Sequence, residues 1–172
     1  PIVVRNSDNP ERQWGIPFDA PLFHWYTAAD RRDQLCQYMS DTFQVPPALT
    51  EQAIQAGDAA QASFRAQLTQ AGQKVLDETR TKGTYAVVLA SRPYQNDRLV
   101  NHDLSEQFTD LGIPVLTVDS LPQVNQVDLK KSTLDIVNNF HARMLSGAIL
   151  AAREPNLEYV QIVSFGCGHD AY

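Results

Sequence analysis

Cysteine is scarce in this sequence, with only Cys36 and Cys167 in 172 residues. Two thiols so far apart provide no disulfide framework, and their scarcity suits a reducing, cytoplasmic compartment. Long hydrophobic runs are missing as well. None approaches the roughly 20 residues needed to span a bilayer, and Pro1-Ile2-Val3-Val4-Arg5 is too short for the apolar part of a secretory signal. Positive charge is in deficit, with 14 Lys and Arg against 20 Asp and Glu. The net charge of −6 disfavours both nucleic acid and an anionic membrane as partners. Two phosphate-cradling signatures, G-x-x-x-x-G-K-[ST] and G-x-G-x-x-G, are absent, so no self-contained nucleotide site of those types is expected. No Met precedes Pro1, and the chain stops just after a glycine-rich turn, so a longer parent chain is expected.

What is present describes a folded domain. Hydrophobic residues make up 43 % and charged residues 20 %, enough to build a core and to exclude global disorder. Residues 1–27 are irregular, broken by Pro10, Gly15, Pro17 and Pro21. Their aromatic residues, Trp14, Phe18, Phe23, Trp25 and Tyr26, suit an arm that wraps over a core. Thr27-Ala28-Ala29-Asp30 reads as a capping box with Asp in the usual Glu position. Behind it, Leu35, Tyr38, Met39, Thr42 and Phe43 share a helical face until Pro46-Pro47 closes the helix. Cys36 within that helix reads as a buried structural thiol.

Residues 50–82 read as one long helix, or two with a kink, with Thr50 as N-cap and Gly83 as the stop. Gly57 and Gly72 each weaken that helix by about 1 kcal/mol relative to Ala, a loss that a close helix approach can offset. Then the period changes. Tyr85–Ala90 is a nearly continuous apolar run, as in a strand covered on both faces. Leu104, Phe108 and Leu111 mark a short helix ended by Gly112, and Pro114–Val118 is a second strand. Residues 132–153 carry apolar residues at helical spacing, with His141 on the apolar face as a core histidine. Leu157–Ser164 gives a third strand.

The order β-α-β-α-β predicts an α/β fold: an open, mainly parallel sheet of three to four strands flanked by helices, preceded by a long helical segment. Residues 85–90, 114–118 and 158–164 should be neighbouring strands, with the first in the centre. Residues 1–49 form the arm and first helix, and 50–172 the α/β domain, within one compact whole.

Ligands of open parallel sheets bind outside the carboxyl ends of the strands. Three loops qualify: Ser91-Arg92-Pro93-Tyr94 on to Asn101-His102, then Asp119-Ser120-Leu121-Pro122, then Phe165-Gly166-Cys167-Gly168-His169-Asp170. Arg92 presents a planar fork that can clamp phosphate or pair with Asp119. His102 suits a proton donor or a solvent-facing cap residue. Cys167 lies between two glycines that leave room for a large rigid group. Three roles compete for it: iron–sulfur ligand, nucleophile, and small residue of a tight turn.

Together, Ala90-Ser91-Arg92-Pro93-Tyr94, Asn101-His102, Gly112 to Ser120 and Ser164 to Ala171 resemble the large CoA-substrate-specific enzyme activases, the activators of 2-hydroxyglutaryl-CoA-type dehydratases. The helix Glu51–Thr79, with Ala56-Gly57 and Phe64, has the same look. The resemblance runs from about residue 50 to the end. Ser91, Gln95 and His169 depart from it, standing where the family usually has Gly, His and an aliphatic residue.

The resemblance implies ATPase modules earlier in a parent chain, where ATP binds, driving low-potential electrons through iron–sulfur clusters. Carried across, Cys167 is a cluster ligand, and Arg92, Tyr94, Asn101 and His102 belong to the adjoining site, with Asp119 and Ser120 on the neighbouring loop. A Cys₄ cluster needs four thiolates, so this chain alone is expected to hold none and to lack independent catalysis. The expected partners are the parent's ATPase modules, a dehydratase-like protein and a second copy of the chain. The alternative is a non-catalytic scaffold or ligand-binding module, in which the three-loop edge holds a CoA-like molecule or a protein and Cys167 is only a turn residue.

Overall fold

The computed structural model describes residues 9–130, 132, 136 and 138–163, which fall into two compact units divided after Ala59. The first unit is helical. Asn9 caps α1 (Pro10–Trp14) by accepting from the Glu11 and Arg12 amides, and Gly15 ends it at φ 66°. α2 (Ala28–Phe43) opens on the predicted capping box. Asp30 N–H donates to Thr27 Oγ1 at 3.1 Å, and Thr27 N–H donates to Asp30 Oδ2 at 2.8 Å.

The arm lies along α2, which itself buries no residue, so there is no core here for it to wrap. The Gln34 side chain bonds both the N–H and the C=O of His24, each at 2.8 Å, as a strand neighbour would. Phe23 packs edge-on against Tyr38, whose hydroxyl donates to Asp19. The covering is partial: Trp14, Leu22 and Tyr26 remain exposed. Cys36 is half-buried rather than buried, with Sγ 3.8 Å from the Pro47 carbonyl oxygen. Arg31 holds Asp58 through two bonds of 3.0 and 2.6 Å.

α3 (Pro47–Lys82) is one continuous helix of 36 residues. It starts earlier than the sequence suggests, because Pro47 has a φ suited to the first helical position and needs no amide partner there. Thr50 therefore sits buried in the first turn instead of capping it. Gly83, at φ 64°, stops the helix as expected.

In the second unit, β1 (Ala86–Ala90), β2 (Val115–Thr117) and β3 (Leu157–Gln161) form a parallel sheet in the order β2-β1-β3. Val88 is the pivot of the register, facing Leu116 on one side and Tyr159 on the other. All five β1 residues are buried, which explains why the run lacks alternation. Ala86, Val88 and Ala90 face a core built with Leu76, Leu116, Val118, Ala151 and Leu157.

Between β1 and β2 lie α4 (Arg98–Asn101) and α5 (Leu104–Asp110), the latter followed by Gly112 at φ 76°. Between β2 and β3 lies α6 (Asn139–Arg153). It begins later than the periodicity suggests, because the Asn138 side chain accepts from the His141 amide and caps it there. His141 itself is buried, 5 % exposed. Leu134 and Val137 lie outside the described residues.

Candidate functional site

Parallel pairing brings the carboxyl ends of all three strands to one edge. β1 runs through Ser91 and Arg92 into a tight turn at Pro93–Asn96, and β2 runs into a turn at Val118–Ser120. Beyond β3, Ile162 N–H donates to the Ala90 carbonyl at 2.8 Å, so the third chain leaves the sheet beside the first.

Gln95 builds the first turn. It is fully buried, its side-chain oxygen accepts from Arg92 N–H at 2.8 Å, and its own N–H returns to the Arg92 carbonyl at 2.9 Å. Gln95 therefore fixes the backbone at Arg92, which is half-buried, while Tyr94 stands 52 % exposed. Ser91 Oγ donates to Asn96 Oδ1 at 2.7 Å. Ser91, Pro93, Asn96, Asp119 and Arg143 then border a crevice of about 10 Å³. That is room for about one water molecule, and a nucleotide or CoA-sized ligand does not enter it.

The remaining residues singled out from the sequence divide by role. Asp119 is ion-paired with Arg143, so the acid proposed as a partner for Arg92 bonds a cation from α6. Ser120 is buried, and its hydroxyl donates to the Thr117 carbonyl at 2.7 Å, which commits it to the turn. Asn101 is buried, and its Oδ1 has no hydrogen-bond partner among the described residues. His102 is exposed and caps α4 in the left-handed region at φ 55°. Neither Asn101 nor His102 borders the crevice.

Residues 1–121 match the family model for the CoA enzyme activase uncharacterised domain (DUF2229). The chain belongs to that family. No curated protein and no solved structure matches it. The match takes in the arm and both long helices of the activase domain and ends at Leu121, before α6, β3 and the Cys167 turn.

Cys167 and its flanking glycines lie outside the described residues of the activase domain. Among those described, no group of three or more His, Cys, Asp or Glu side chains is arranged to hold a metal. Cys36, in the first unit, has no such neighbours. The described residues therefore do not supply the ligand set of an iron–sulfur cluster. No helix among them is long and apolar enough to cross a membrane.

Two functional candidates were missed in the sequence. Arg143 is the one cation between Phe140 and Ala152, and a lone charge in an apolar helix is a usable signal. Burial pushes its pKa below the usual arginine value, and the like charge of Arg65 adds to that effect. Arg65 gives no such signal, because it sits on a polar helix face among Gln and Ala.

Proposed function

We propose that this domain is a non-catalytic part of an ATP-dependent iron–sulfur activator of 2-hydroxyacyl-CoA dehydratases, acting in the cytoplasm and supporting low-potential electron transfer. The observation that carries this reading is the shared sheet edge. The bond from Ile162 to Ala90 starts the segment leading to Cys167 next to Ser91 and Arg92. Membership of the CoA enzyme activase family supports the same reading.

In it, Cys167 contributes one thiolate and the remaining ligands come from outside this sequence. A thiolate ligand carries negative charge, and in this reading Arg92, fixed at its backbone by Gln95, supplies the cation that offsets it. The ATPase modules of the parent chain supply the driving force, and the dehydratase-like protein receives the electrons. When bound, the cluster supplies one-electron chemistry that no side chain here can supply.

The test uses the full-length parent protein prepared anaerobically. Cys167→Ser lowers iron and sulfide content and abolishes ATP-driven reduction, while Cys36→Ser does neither. Full iron and full electron transfer in Cys167→Ser would overturn the reading and leave Cys167 as a turn residue.

A further inference from the structure

A second cavity of the second unit lies not at the sheet edge but beside it, between α3, the turn at Val124–Gln126 and α6. It measures about 760 Å³, inside the range of ordinary small-molecule sites. Phe64, Leu68, Leu121 and Val124 give it apolar walls, and Arg65 and Arg143 face it from two different helices.

Charge decides what such a cleft can hold. Among the described residues, its charged lining is Arg65, Arg143 and Asp119. Asp119 is paired with Arg143, and Arg65 has no ion-pair or hydrogen-bond partner among the described residues. The two guanidiniums are close enough that Arg65 disfavours the charged form of Arg143. Among the described residues, one positive charge is thus left uncompensated in a cleft of mixed polar and apolar lining, in a chain whose net charge is −6. Phe64 is 60 % exposed on the same wall.

We propose that this cleft binds a small organic anion, with a phosphate or carboxylate head held by Arg65 and Arg143 and an apolar arm lying on Phe64, Leu68 and Val124. Guanidinium forks bond either head through two parallel donors, and a bound anion removes the repulsion between the two arginines. The apolar arm gains by covering those apolar side chains. The proposal does not depend on whether a cluster is held at Cys167.

The experiment is calorimetric titration of the whole chain at low salt with three probes: hexyl phosphate, hexanoate and inorganic phosphate. One of the two hexyl probes should bind one to one with a dissociation constant of about 1 mM or tighter. Inorganic phosphate should bind at least about tenfold more weakly, because it lacks the arm. The better hexyl probe identifies the head group. Arg65→Gln, at an exposed helix position that does not threaten folding, should weaken the hexyl probe about tenfold or more. Phe64→Ala should weaken the hexyl probe and leave inorganic phosphate unchanged. No saturable binding of either hexyl probe, or equal binding by Arg65→Gln, would overturn the proposal.

Discussion

The Ser120 carbonyl oxygen occupies the space where a side chain on Gly72 would begin: a Cβ at Gly72 would stand 1.9 Å from that oxygen. The turn after β2 is thereby seated directly on the backbone of α3. This explains why a residue that weakens a helix is placed in its interior. The close approach is to a turn rather than to another helix, and Gly57 has no counterpart, with nothing within 4 Å of its Cβ position.

The two glycines therefore respond oppositely to the same substitution. Gly72→Ala must displace backbone and should lower stability by about 2 kcal/mol even after its gain in helix propensity. Gly57→Ala meets open space and should raise stability by about 0.5–1 kcal/mol. Thermal unfolding of the two variants should shift in opposite directions, by several degrees downward for Gly72→Ala. A rise in Tm for Gly72→Ala would contradict the contact.

Arg80 near the end of α3 pairs with Glu154 just past α6. That bond holds the Glu154 carboxyl below its usual pKa, so the folded state favours the carboxylate. The contribution is present above the ordinary carboxyl range and disappears as pH falls through the depressed folded value. Arg80 is half-exposed, so the pair is worth about 0.5 kcal/mol. Denaturation of Arg80→Met should show that deficit at neutral pH and progressively less of it as pH falls below the ordinary carboxyl range.

Tyr159 shows the reverse sign. Burial raises its pKa to about 12, and its hydroxyl lies 3.0 Å from the Met144 carbonyl oxygen. The folded state favours the neutral phenol, so its contribution is complete below about pH 10 and is lost as pH rises toward the folded value. Tyr38, whose hydroxyl donates to Asp19, is also raised, so tyrosinate absorbance should show late-titrating tyrosines, and Tyr159→Phe should remove one of those steps. The same variant leaves the Met144 carbonyl without this donor and should cost about 1 kcal/mol.

The chain by itself should not bind Mg-ATP. It has no glycine-rich phosphate loop, and the crevice at the strand ends holds about 10 Å³. Titration calorimetry with Mg-ATP should be flat. A saturating isotherm that persists in Arg65→Gln would place an ATP site here.

The element order, the parallel sheet with β1 at its centre, the Thr27–Asp30 cap and the Gly83 stop are all legible in the sequence, because each depends on near neighbours. A capping box spans three residues, a buried strand shows as a continuous apolar run, and a left-handed stop needs only its glycine. The loops at the strand ends follow from the same reasoning, since parallel topology brings them to one edge. Tertiary structure alone decides what those loops do there. An aspartate can pair with any cation that reaches it, and only the packing of α6 selects Arg143 for Asp119 over Arg92. Gln95 reads as a polar loop residue until the turn closes and buries it against the Arg92 backbone. Arg65 and Arg143 stand far apart in sequence, on two helices, and nothing local ties them together. Their shared cleft exists only once α3 and α6 border the same space, because charge acts through distance in space and not along the chain.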